Sequence, residues 1–179
     1  QDERFTYPYI HFNKRTMHLP LEQRVREYTK LADQASEGTY GRFLLNSIWS
    51  PDHSVFYGAT IVIATDENDP LFKAAKPRNK AEIGAFTHPD HQEKGIATQG
   101  LHQAIGFAIN NWGITGLCAS MGTDRPASIA ISERLGMEQV AFFKAGSKEV
   151  PYNNKDGKPA ARIIMGTPDG CPLKDYLKL

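Results

Sequence analysis

The chain has very little cysteine. Only Cys118 and Cys171 occur in 179 residues, and neither has a second thiol nearby, so the sequence offers neither a disulfide framework nor a cysteine-rich zinc site. Cys118 sits in an apolar run and reads as a small buried hydrophobe, and the shortage of thiols fits a reducing, cytoplasmic setting. An excess of one charge sign is also missing: 21 Lys and Arg stand against 20 Asp and Glu, a formal net charge of +1. No bulk field therefore favours nucleic acid or an acidic membrane surface, and an anionic ligand has to be held locally. No apolar run approaches membrane-spanning length. The segment Gln1 to Phe5 has acidic residues and no apolar stretch behind it, unlike a secretory signal or a transit peptide. Internal repeats and low-complexity tracts are absent as well.

What remains is the balance of an ordinary globular protein, with 40% hydrophobic and 23% charged residues, 15 Gly and 11 Pro. Its length suits one core, so one domain spanning 1–179 is expected. Pro20 can open a helix whose apolar positions Leu21, Val25, Tyr28, Ala32 and Ala35 follow helical spacing, with Gly38 to end it. Arg42 to Trp49 and Val55 to Ala64 read as a hairpin across the turn-type cluster Ser50 to His53. Thr65 to Lys80 is polar, proline-containing and without apolar period, hence a surface loop. Ala81 to Thr87 reads as a strand stopped by His88-Pro89-Asp90.

From Gly95 the period becomes helical, with Leu101, Ile105, Ala108 and Trp112 on one face and Gly113 at the end. Ile114 to Ser120 suits a buried strand, and Pro126 to Leu135 a helix with Gly136 as its stop. Gln139 to Lys144 and Ala160 to Met165 are two more strands, separated by the turn-rich Tyr152 to Gly157. After Gly166 the chain reads as a tail over the surface, 166–179. The element order is mixed α/β.

One segment carries chemistry. Strand, proline turn, Gln92-Glu93-Lys94-Gly95 and then helix places free backbone N–H groups at a helix N-terminus, which attracts phosphate. Gly95 lets the backbone approach an anion, Ala97 keeps the next turn free of bulk, and Lys94 adds charge at the rim. A P-loop is disfavoured, because no Lys-Ser or Lys-Thr follows the glycine. Residues 81–98, and the motif region to about 113, resemble motif A of the GNAT N-acetyltransferase superfamily. Residues 125–143, including Ser128, Ser132 and Gly136, resemble its later helix and strand, closest to the branch of ribosomal-protein N-terminal acetyltransferases.

The resemblance implies a single-domain GNAT-like fold: a bent, mixed, mostly antiparallel sheet of six to seven strands with splayed central strands, flanked by about four helices. The pantetheine arm of acetyl-CoA would insert between the splayed strands. Phe86, Thr87 and His88 would offer it backbone hydrogen bonds, and Gln92, Lys94, Gly95, Ile96, Ala97 and Thr98 would surround the pyrophosphate. Arg125 stands where many relatives have Asn and could meet a CoA phosphate. With Ser128 it completes the implied cofactor set. The helix from Pro20 to Gly38 would help form the acceptor site. Acetyl-CoA is the implied acyl donor, and no metal is implied. The acceptor would be a small-molecule amine or a peptide N-terminus, with no nucleic acid or membrane partner; a homodimer is compatible with the resemblance.

An amine attacks a thioester only when neutral, so something must take its proton. Glu82 is the nearest carboxylate in the motif A strand and the candidate base, acting directly or through water. On a regular strand Ile83, Ala85 and Thr87 share one face and Glu82, Gly84 and Phe86 the other. Many relatives place Tyr four residues before the glycine as a general acid, where this chain has Ser132; its hydroxyl either relays a proton to the thiolate or bonds the preceding turn. Tyr152 from its loop, and Trp49 or Phe56 from the hairpin, are aromatics that could reach such a site, although aromatic residues in such strands are usually core. His88, His91 and His102 have no metal-ligand context. The expected activity is N-acyl transfer from acyl-CoA; the alternative is a CoA-binding module without turnover.

Overall fold

The computed structural model describes residues 43–52, 54–65, 73, 79–148, 152–154, 156–168 and 173. Among them are six strands: β1 (Phe43–Trp49), β2 (Phe56–Ala64), β3 (Lys80–Thr87), β4 (Gly116–Gly122), β5 (Glu138–Phe143) and β6 (Arg162–Gly166). Between them lie a 3-10 turn at Pro89–His91 and two α-helices, α1 (Ile96–Trp112) and α2 (Pro126–Arg134). The strand order is β1-β2-β3-β4-β6-β5. Of the registered pairings, β1–β2, β4–β6 and β5–β6 are antiparallel and β3–β4 is parallel, the mixed sheet expected. The helix expected over Pro20 to Gly38 and most of the Thr65 to Lys80 loop lie outside the described residues, as does Cys171. Two α-helices and the 3-10 turn are described where about four helices were expected.

The chain divides into two compact units, with the boundaries inside β2, β3 and α1. The first comprises Gln1–Ile63 and Gly84–Ile105. Its hairpin pairs Phe43 with Ile63 through to Trp49 with Phe56, with an irregularity at Ile48/Trp49. Exposure alternates along β1, leaving Leu45 and Trp49 exposed, as befits a sheet edge with one face covered. The turn is closed by the Ser50 hydroxyl, which accepts from Ser54 N at 3.1 Å and Val55 N at 2.9 Å. Here α1 buries Leu101 and Ile105, which its periodicity marked, together with Ala97 and Ala104.

The second unit comprises Ala64–Ile83 and Gly106–Leu179. In it Lys80, Ala81 and Glu82 pair with Gly116, Leu117 and Cys118. Strand β4 then pairs with β6 from Cys118↔Gly166 to Gly122↔Arg162. Cys118 and Ile164 are fully buried at its core, with Val140, Ala141 and Phe143 packed against them. Cys118 is thus the buried hydrophobe its apolar run predicted. Ala108 is buried, whereas Trp112 is half-buried and meets Phe107 edge-on at 6.1 Å.

Several boundaries differ from expectation for readable reasons. β4 runs from Gly116 to Gly122, two residues later than expected. Thr115 uses its N–H and hydroxyl on Asn79 O, at 2.8 and 3.1 Å, and so closes a connection instead of joining the ladder. The surface tail over 166–179 is corrected at its start. Gly166 belongs to β6, Thr167 is buried and doubly bonded to Leu117, and Leu173 is 4% exposed. A polar hydroxyl buried against a strand's unused N–H has no hydrophobic signal in sequence.

Candidate functional site

The segment after β3 is held tightly. His88 N donates to Tyr57 O at 2.7 Å, His88 Nδ1 accepts from Asp90 N at 3.2 Å, and His91 N donates to His88 O at 2.8 Å. The backbone is left-handed at Glu93, φ 62°, and again at Gly95, φ 74°. Glycine takes that conformation freely, whereas a residue with a Cβ gives up about 1–2 kcal/mol. Left-handed residues in such a turn orient successive N–H groups into an anion-binding concavity. Directly behind it α1 begins at Ile96, with no acidic side chain in its first turn. A Cβ built on Gly95 would meet no protein atom within 4 Å. The positive end of a 17-residue helix, whose first N–H groups lack intrahelical acceptors, is therefore open at Gly95 and unopposed by a first-turn carboxylate. These residues fit a pyrophosphate.

The side chains around the turn have definite tasks. Lys94 Nζ donates to Asp90 O at 3.1 Å, so the rim charge is anchored on the preceding turn. Gln92 Nε2 reaches Thr87 O at 3.5 Å across the loop. Ala97 is buried, and Ile96 and Thr98 are half-buried. The Phe86 ring lies 5.7 Å from Phe56, itself 5.1 Å from Trp49, so what Phe86 can give a ligand is backbone. His91 packs 4.7 Å from Tyr57 and 5.5 Å from His88. In this unit the structure gathers Phe86, Thr87, His88, Gln92, Lys94, Gly95, Ile96, Ala97 and Thr98 along one continuous strand-turn-helix. Among the described residues no group of three or more His, Cys, Asp or Glu is arranged for a metal ion.

The remaining candidates belong to the second unit. Ala81 and Ile83 are buried and Glu82 half-buried, the alternation of a regular strand, with Glu82 on the last registered rung of the β3–β4 ladder. Ser132 is 3% exposed within α2, and its carbonyl accepts from Met137 N at 3.0 Å where the helix stops at Gly136. Arg125 is the N-cap position of α2 without capping it by side chain, and Ser128 is half-buried in the first turn. The Arg125 guanidinium instead donates from Nε to the Tyr152 hydroxyl at 3.4 Å and lies 3.8 Å from Asp124 Oδ1. Asp124 was missed in sequence; its signal is an acid beside a base immediately before Pro126 at a helix start. A cavity of about 360 Å³ in this unit runs beside α2, β5 and β6, and none of the candidates lines it.

A mixed sheet whose parallel pair leads through a left-handed turn into an acid-free helix N-terminus offers a seat for the phosphates of a nucleotide-bearing ligand. The sequence matches the family described as the acetyltransferase (GNAT) domain over residues 1–138, and the chain belongs to that family. With it comes the class of activity, acyl-CoA-dependent N-acetylation of amines. No curated protein sequence matches the chain. Among solved structures, a point mutant of the spermidine N-acetyltransferase SpeG from Vibrio cholerae is 13% identical, with a TM-score of 0.58, covering 85% of this chain and 77% of that one. The microcin C7 self-immunity acetyltransferase MccE, in complex with acetyl-CoA and AMP, is 15% identical with a TM-score of 0.60, covering 83% and 71%. At these identities the likeness is one of fold. No helix among the described residues is long and apolar enough to cross a membrane.

Proposed function

We propose that the chain transfers acetyl from acetyl-CoA to a primary amine, on a small molecule or a protein N-terminus, by direct attack of the amine on the thioester. The observation that carries this reading is the left-handed Gly95 in front of an acid-free helix N-terminus, a seat for a pyrophosphate. Gln92, Lys94, Gly95, Ile96, Ala97 and Thr98 surround that group, Phe86, Thr87 and His88 offer backbone to the arm, and Arg125 and Ser128 serve at the start of α2. Glu82 takes the proton of the attacking ammonium. Ser132 is the family-position candidate for returning one to the thiolate. The motif over 125–143 favours the branch of ribosomal-protein N-terminal acetyltransferases, and the low thiol count favours the cytoplasm.

A panel of amines, including spermidine and short peptides with free N-termini, assayed for free CoA thiol, tests the proposal. Turnover with a primary amine is expected. Binding of acetyl-CoA with no thiol released by any amine would leave a CoA-binding module without catalysis.

A further inference from the structure

The cavity beside α2, β5 and β6 owes its lining to one irregularity in a strand. The β5–β6 ladder shifts register between Gln139 and Ala141, which leaves Val140 as an extra residue on β5. In a regular strand, residues three apart point to opposite faces; the extra residue brings Gln139 and Phe142 to the same one. Their partners across the ladder are Met165 and Ile163, two apart on β6. The rung between them, Ala141 with Ile164, turns the other way into the core around Cys118. Both outer rungs line the cavity, about 360 Å³ in volume, and Met137 and Ile129 complete its apolar surface. Met137, Ile163 and Met165 are buried and form a fixed floor.

The wall above that floor is open. Phe142 is 53% exposed, more than any other large hydrophobic residue described, so a ring that lines the cavity also faces solvent. An aromatic face beside two thioethers accepts a flat apolar body through offset stacking and sulfur–aromatic contact. The charged part of the lining is of one sign. Glu133 stands one helical turn after Ile129 on the same face of α2, and Glu138 opens β5. Both are exposed, and among the described residues neither is in an ion pair. The lining contains no Lys, Arg or His. An apolar floor under two carboxylates that have no cation of their own is complementary to an apolar molecule carrying one positive charge. An anion meets repulsion from both carboxylates, and among the described residues no third acidic, His or Cys ligand joins them for a metal ion.

We propose that this cavity binds a small arylalkylammonium ion, its ring on Phe142 over the methionine floor and its ammonium between Glu133 and Glu138. Ligand sites run from about 300 to 1,000 Å³, so a cavity at the lower end suits one ring with a short amine-bearing arm. Every lining residue belongs to the second unit, and neither the pyrophosphate seat nor any catalytic candidate takes part. The site is therefore one of binding, additional to the transferase reading and independent of it.

Phenethylammonium, protonated at neutral pH, is the probe, titrated into the full chain and followed by the methyl resonances of Ile129, Met137, Ile163 and Met165. Saturable shifts centred on these residues are expected, with a Kd of about 0.1–1 mM. Glu133→Gln and Glu138→Gln should each weaken binding about threefold and together about tenfold, less at high salt. The neutral analogue 2-phenylethanol should bind about tenfold more weakly, and phenylacetate not measurably. Gln139→Trp, at an exposed position, should fill the cavity and abolish binding with the melting temperature unchanged. Equal affinity for the alcohol and the ammonium overturns the proposal, as do shifts centred elsewhere, the absence of shifts, or indifference to both glutamates. Binding seen only after a dimer is diluted to monomer, by light scattering, assigns the cavity to a second copy of the chain and overturns it as well.

Discussion

Thr167 and Leu117 satisfy each other twice: Thr167 N donates to Leu117 O at 3.0 Å, and Leu117 N donates to the Thr167 hydroxyl at 2.8 Å. Thr167 is 2% exposed and Leu117 equally so, so no water can replace either bond. Thr167→Val preserves shape and backbone but strands the Leu117 N–H in the core. A loss of about 1–3 kcal/mol in unfolding free energy is expected by denaturant titration. Wild-type stability in the variant would show that the hydroxyl contributes nothing to the closure of β4.

A second prediction concerns pH. The hydroxyls of Ser50 and then Ser54, joined by the Ser54 backbone N–H, lower the Asp52 carboxyl from 3.8 to about 2. Because the folded value lies below the unfolded one, the turn's contribution is fully present above 3.8 and is lost as pH falls through about 2. Asp52 is fully exposed to solvent, so the effect is small and salt-sensitive. The carboxyl resonance of Asp52 should titrate near pH 2 by NMR, against 3.8 for an unperturbed side chain. Ser50→Ala should move it upward. A midpoint that ignores the serine would mean the hydroxyl does not address the carboxylate in solution.

How much of this was legible in the sequence depends on whether the signal was local. The six strands and the two described helices follow from period and punctuation, and Pro126, Gly113 and Gly136 act where they were expected. The left-handed turn at Gly95 was legible too, because a glycine between strand and helix evidence already requires a particular backbone. What escaped was tertiary. The seat of Tyr152 on Gly122 joins residues thirty apart, and the bonding of Thr167 to Leu117 joins residues fifty apart through one hydroxyl. The left-handed backbone of Glu93 escaped as well, since nothing about a glutamate announces it.

Gly95 separates backbone from charge. Gly95→Ala forces a Cβ into a φ of 74° but meets no neighbouring atom, so it should cost about 1 kcal/mol of stability and a modest part of acetyl-CoA affinity. Gly95→Asp carries the same backbone cost and adds a carboxylate beside the pyrophosphate. At an effective dielectric near 20 that repulsion is about 4 kcal/mol, roughly three orders of magnitude in affinity. Calorimetry should find acetyl-CoA binding abolished in Gly95→Asp, with a melting temperature close to that of Gly95→Ala. Equal affinities for the two variants would remove the anion from this turn.

Glu82 is the residue whose role depends most on where its strand stops being paired. It occupies the rung opposite Cys118, the last of the registered β3–β4 ladder, and is half-buried between Ala81 and Ile83, which are buried. A carboxylate there can take a proton from an ammonium arriving at the end of the ladder, directly or across one water. Glu82→Gln is nearly isosteric and should lower kcat by about 10²–10⁴-fold while leaving the KM for acetyl-CoA and the melting temperature unchanged. A base is needed only while the amine is protonated in solution. The variant's deficit should therefore narrow as pH rises towards about 10, where an alkyl amine deprotonates without help. A deficit constant across pH would make Glu82 a positioning residue of β3, and an undiminished kcat would leave it an ordinary strand carboxylate.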